Sequence, residues 1–116
     1  MLKIYIIKKP ITRLRLKEIA EERFGDLVKV VVDIRKEVMA VGGELHADEE
    51  VLLSENYDSK REDTWGINIY VDKPRDEMIE FDSVINIKPS YQNRTRNVEN
   101  PEIKKKIIEI VDKLIL

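Results

Sequence analysis

The chain's only histidine, His46, stands between two carboxylates in the run Glu44-Leu45-His46-Ala47-Asp48. An imidazole with acids at alternate positions suits a divalent metal or general acid–base chemistry, because neutral imidazole and carboxylate are both ligands and proton carriers. If the run is a strand, Glu44, His46 and Asp48 share one face, while Leu45 and Ala47 turn to the core. Neighbouring strands then add Asn68, Tyr70, Glu80, Asp82 and Asn86 to the polar face. Glu44, His46, Asp48 and Asp82 are therefore the metal-type candidates, and the reading they support is a metal-dependent hydrolase. The same alternation marks the solvated or dimer-forming side of a half-covered antiparallel sheet. Both readings stay open, so no catalytic residue is assigned and no cofactor is expected.

A second grouping lies in Lys88-Pro89-Ser90-Tyr91-Gln92-Asn93-Arg94-Thr95-Arg96-Asn97, which runs towards a helix start. Lys88, Gln92, Arg94 and Arg96 are donors suited to a phosphate or carboxylate, and the first N–H groups of a helix add to them. In an extended segment Arg94 and Arg96 leave the same side of the backbone. The competing reading pairs these arginines with Glu80, Asp82 or Glu99. The segment has no glycine, so a backbone cradle of the P-loop kind is not expected.

Other chemistry is absent or diffuse. Cysteine does not occur, which excludes disulfides, thiolate metal sites and cysteine nucleophiles. Ser83, Ser90 and Thr95 have no triad arrangement and no Gly-x-Ser-x-Gly. Trp65 reads as core, and Lys104-Lys105-Lys106 reads as the solvated face of a helix. Tyr70 and Tyr91 could stack a base, yet no basic–aromatic groove gathers around them.

The elements that must position these residues follow from periodicity. Leu2–Ile7 reads as a strand. Thr12 caps a helix that carries Leu16, Ile19, Ala20 and Phe24 on one face. Leu27, Val30, Val31, Ile34, Val38 and Val41 fit the helical period and predict a second helix over 27–41. Against it, Val-Lys-Val-Val-Val favours a strand over Leu27–Ile34. Glu44–Leu53 reads as a strand, Ser54–Asp63 as a loop, and Thr64–Asp72 and Met78–Lys88 as two more strands. Asn100 at the N-cap, Pro101 at N1 and Glu102 in the first turn start a final helix. Its buried stripe is Ile103, Ile107, Ile110, Val111 and Leu114. The expected fold is α+β in the order β-α-α-β-β-β-α, an antiparallel meander with helices on one face. The period-2 pattern places Leu45, Ala47, Ile67, Ile69, Val71, Phe81, Ile85 and Ile87 in the core.

Length and charge set the outer limits. The 116 residues suit one domain, 1–116, with one core. With 21 basic and 23 acidic residues and a formal net charge of -2, the chain shows no basic excess, so bulk nucleic-acid binding is not expected. The N-terminal apolar stretch is too short for a signal sequence or a membrane span. A cytoplasmic protein without membrane contact is expected. The wealth of Glu, Lys, Arg, Ile and Val, with Gln92 the sole glutamine, leans towards a thermophilic source.

Three segments carry a resemblance: Val-Gly-Gly-Glu-Leu-His-Ala-Asp-Glu-Glu at 41–50, Trp-Gly-Ile-Asn-Ile-Tyr at 65–70, and Phe-Asp-Ser-Val-Ile-Asn-Ile-Lys-Pro-Ser at 81–90. With Asn93-Arg94-Thr95-Arg96 and the final helix start, the chain resembles a small bacterial and archaeal family of unknown function. The resemblance spans nearly the whole sequence and implies a complete protein; it brings no site residues with it. Three functions remain: a binding protein for a compact anionic or phosphorylated ligand, a metal-dependent hydrolase, and a homodimer formed through an open sheet face.

Overall fold

The computed structural model describes residues 3–116. Its strands are β1 (Tyr5–Ile7), β2 (Leu27–Asp33), β3 (Val38–Gly43), β4 (Thr64–Tyr70) and β5 (Ile79–Glu80). The helices are α1 (Arg13–Glu21), α2 (His46–Tyr57) and α3 (Pro101–Leu114). The strands form one sheet in the order β1-β3-β2-β4-β5, and every neighbouring pair is antiparallel. The α+β class and the antiparallel sheet expected from the sequence hold. Leu2, in the expected first strand, lies outside the described residues.

Two segments exchange type. Residues 27–41 contain the β2–β3 hairpin in place of a helix. Val28, Val30 and Val32 face one layer and Val31 the other, and all four are buried. A strand buried on both sides is apolar at nearly every position, so it satisfies a 3.6-residue period as readily as a period of two. The turn is built by Asp33, whose Oδ1 accepts from the N–H groups of Arg35 and Lys36, each at 2.9 Å.

Residues 44–53 mostly form α2 rather than a strand. The buried positions of α2 are His46, Glu49 and Leu53, at helical spacing. Two of the three are polar, which hides the helical stripe. Asp48 and Glu49 in its first turn complement the helix dipole. The helix runs on to Tyr57, into the segment read as loop. Leu45, Ala47 and Ile87, expected in the core, are exposed, whereas Ile67, Ile69, Val71 and Ile85 are buried as expected.

The 78–88 strand is also shorter than expected. After Glu80 the chain leaves the sheet, and Ser83 caps a 3₁₀ turn over Val84–Asn86 by accepting from Ile85 N–H at 3.3 Å.

The helices divide between the faces instead of sharing one. Leu16, Ile19 and Ala20 of α1 and Ile107, Ile110, Val111 and Leu114 of α3 join the larger core with Val28, Val30, Met39, Val41, Trp65, Ile67 and Ile69. On the other face Leu53 of α2 packs with Val31, Ala40 and Ile85. The final helix starts as expected, with Asn100 Oδ1 accepting from Glu102 N–H at 2.8 Å. The face read as open is thus covered by α2 and the 82–86 segment, and a cleft lies between these two.

Candidate functional site

The floor of the cleft comes from β-sheet register. Gly43 on β3, Lys29 on β2, Asn68 on β4 and Glu80 on β5 are successive cross-strand partners, so they form a row on the α2 side of the sheet. Gly42, at φ +91°, lies at the shift of register that brings Gly43 opposite Lys29, a conformation open to glycine.

Two glycines let the walls come close. A Cβ on Gly43 would stand 2.8 Å from Glu49 Cγ. A Cβ on Gly66 would stand 2.6 Å from Ser83 Oγ and 3.2 Å from His46 Cδ2. The first seats α2 on β3, and the second seats both walls of the cleft on β4.

His46 opens α2, with its Nε2 2.7 Å from Ile67 O. A carbonyl only accepts, so Nε2 carries the proton and donates, which leaves the lone pair of the neutral ring on Nδ1. Burial, above all, lowers the imidazole pKa; Lys29 and Arg96 act the same way, while the Ile67 carbonyl and Asp82 oppose it. His46 is therefore neutral at pH 7.

The opposite wall is held by side-chain amides. Asn86 is fully buried and bonds Gly66 N, Gly66 O and Arg96 O. Asn93 donates from Nδ2 to Asn86 O, Thr95 O and Asn97 O, and its Oδ1 accepts from Glu99 N–H. Ser83 N–H donates to Arg96 O at 3.1 Å. The Arg96 backbone is thus fixed, while its side chain lies at the rim with Nε 2.6 Å from Asp82 Oδ1.

Lys29, Leu45, His46, Asn68, Asp82 and Arg96 are among the residues lining the resulting cleft, whose volume is about 290 Å³. Among the described residues the Lys29 ammonium makes no ion pair and no hydrogen bond; it lies 5.7 Å from the Phe24 ring. Asn68 Nδ2 donates to Glu80 Oε1 at 2.8 Å and to Asp82 O at 3.4 Å, whereas Asn68 Oδ1 is buried without a partner.

A family model described as "Protein of unknown function (DUF5674)" matches residues 5–114. The chain belongs to this family. No curated protein and no solved structure matches it.

In this family member His46, Asp82 and Arg96, taken from three separate segments, line one cleft. The other candidates lie elsewhere. Lys88 is buried, its ammonium donating to Arg61 O and Thr64 O and lying 4.0 Å from the Trp65 ring. Gln92 and Arg94 are exposed; Gln92 ends a 3₁₀ turn at φ +62°, and Arg94 N–H donates to Glu99 Oε2 at 2.6 Å.

Glu44 lies 3.8 Å from Arg23, and Asp48 is exposed in the first turn of α2. With His46 opening a helix, Glu44 and Asp48 do not share its face as they would on a strand. Among the described residues no group of three His, Asp or Glu side chains stands ready for a metal. No described helix is long and apolar enough to cross a membrane.

Lys29 and the scaffolding role of Asn86 and Asn93 escape the sequence reading. The signal for Lys29 is a lone charged residue inside the apolar run 27–32, which has meaning only once that run is a strand.

Proposed function

We propose that the chain is a binding protein for a compact anionic ligand, held in the cleft between the start of α2, the β2–β4 floor and the 82–85 segment. The observation that carries this reading is Lys29, a half-buried lysine lining the cleft whose ammonium has no carboxylate within ion-pair distance. An unpaired charge in a partly dry site is costly unless a counter-charge arrives.

Two further features agree. Arg96 is tied to Asp82 by an ion pair whose side chains are 56% and 44% exposed. Exposed pairs of this kind contribute about 0–1 kcal/mol, so its guanidinium turns to a ligand at little cost. Leu45 gives α2 no capping side chain, and Leu45, His46 and Ala47 line the cleft with the positive end of the helix dipole. A volume of about 290 Å³ lies at the small end of ligand sites, typically about 300–1,000 Å³, which favours a compact ligand over a polymer.

Calorimetry with inorganic phosphate and with acetate tests the reading. Binding is expected for at least one anion. Lys29→Ala and Arg96→Ala should each weaken it about ten- to hundredfold, the size of one charge-assisted hydrogen bond. Arg94→Ala should leave it unchanged. No heat with either anion, or equal binding by the Lys29→Ala variant, overturns the proposal.

A further inference from the structure

An anion alone does not complete this cleft. Asn68 is 8% exposed and lines the floor, and its Oδ1 has no donor within reach. The direction of its amide is fixed, because Nδ2 donates to Glu80 Oε1 and Asp82 O. Its cross-strand neighbour Lys29 makes no hydrogen bond to it. A buried amide oxygen without a donor is an expense that folded proteins rarely leave standing.

Beside the donors Lys29, Arg96 and the Ser83 hydroxyl, three more groups of the cleft's surroundings are acceptors. His46 Nδ1 carries a lone pair because Nε2–H is donated to Ile67 O. Asp82 places one oxygen on Arg96 and keeps the other without a hydrogen bond among the described residues. Glu80 and the Asp82 carbonyl take up the Asn68 amide hydrogens, and Glu80 adds negative charge behind them. Acceptors beside carboxylates favour a cationic donor over a neutral hydroxyl.

The cleft therefore offers two poles that lie close together: donors in Lys29, Arg96 and the start of α2, and acceptors in Asn68 Oδ1, His46 Nδ1 and Asp82, with Lys29 the cross-strand neighbour of Asn68 and Arg96 the ion-pair partner of Asp82. Apolar surface remains at its mouth, where Leu45 is 55% exposed and Val84 63% exposed.

Resting on the anion-binding reading above, we propose that the ligand is a small zwitterion, an α-amino acid with an apolar side chain. Its carboxylate meets Lys29, Arg96 and the first N–H groups of α2. Its ammonium meets Asn68 Oδ1 with Asp82 and His46 Nδ1, and its side chain lies against Leu45 and Val84.

Calorimetric titration with L-leucine, L-valine, acetate, methylammonium and inorganic phosphate separates this proposal from the one it rests on. L-leucine or L-valine should bind at least about tenfold tighter than acetate or methylammonium, since both poles are filled at once. Asp82→Asn should weaken the amino acid and strengthen phosphate, because it removes negative charge from the ammonium pole and frees Arg96. Asn68→Ala should lower amino-acid binding; because Asn68 also anchors Glu80, its melting curve is recorded alongside, and Asp82→Asn decides if that variant does not fold. Phosphate or acetate binding without a gain for the amino acids overturns the zwitterion and leaves the anion reading intact. No binding of any probe overturns both.

Discussion

The side-chain amide of Asn86 closes a two-bond ring with the backbone of Gly66: Oδ1 accepts from Gly66 N–H at 2.8 Å and Nδ2 donates to Gly66 O at 2.9 Å. A side chain thus does for β4 what an adjoining strand would do, at the point where β5 has left the sheet. The same Nδ2 reaches Arg96 O at 3.0 Å, so one residue joins the sheet to the wall that carries Arg96.

Asn86→Ala removes all three contacts and leaves buried backbone groups of Gly66 unpaired. Each such group costs about 1–3 kcal/mol, so a loss of several kcal/mol is expected. Urea unfolding should show a lower midpoint with little change in slope. A loss under about 0.5 kcal/mol, the level of an ordinary surface substitution, would contradict this role.

Glu49 gives a pH dependence of known sign. It is fully buried, its Oε2 accepts from Gly43 N–H at 2.9 Å, and its Oε1 has no partner. Burial holds its pKa well above the usual carboxyl range; the Gly43 N–H, Lys29 and Arg23 pull it down, and nearby Asp48 pushes it up. The folded chain therefore keeps a proton that the unfolded chain releases near pH 4.3, and stability falls as pH rises from there through the folded pKa. Glu49→Gln should flatten that fall and be the more stable protein at the alkaline end of the window. Urea unfolding of both proteins across the window checks it, and parallel profiles would contradict it.

Lys88 has the opposite sign. Burial, with Arg61 as a lesser cause, pushes its ammonium down to about 8. The unfolded chain holds that proton up to about pH 10.4, so between the two values folding releases it and stability rises with pH. Lys88→Met should lack this rise. The gap between wild type and variant, measured by denaturant unfolding from about pH 8 to 10, should therefore move in favour of wild type. A constant gap would mean that Lys88 keeps an ordinary ammonium.

The parts of the fold legible in the sequence are those where one signal stands alone. Asn100-Pro101-Glu102 can only begin a helix, and β4 alternates cleanly between Trp65, Ile67, Ile69 and the smaller Gly66 and Asn68. The hairpin 27–43 was hidden because both its faces are buried. The start of α2 was hidden because His46 and Glu49 occupy buried positions where apolar residues normally mark a stripe. His46, Asp82 and Arg96 were visible as reactive types, yet their meeting depends on α2 packing over β3 and β2 so that its first residue reaches Ile67 of β4. Lys29 could not be placed until 27–33 was a strand, and the asparagines look like loop residues until their amide partners are known.

The most direct test of the anion-binding cleft is an amide chemical-shift titration with inorganic phosphate. The account predicts that shifts concentrate at His46, Ala47, Ser83 and Arg96, and that Lys29→Ala moves their midpoint to about ten- to hundredfold higher phosphate while the variant stays folded. Shifts confined to residues 91–94, or none at the start of α2 at saturating phosphate, would contradict it.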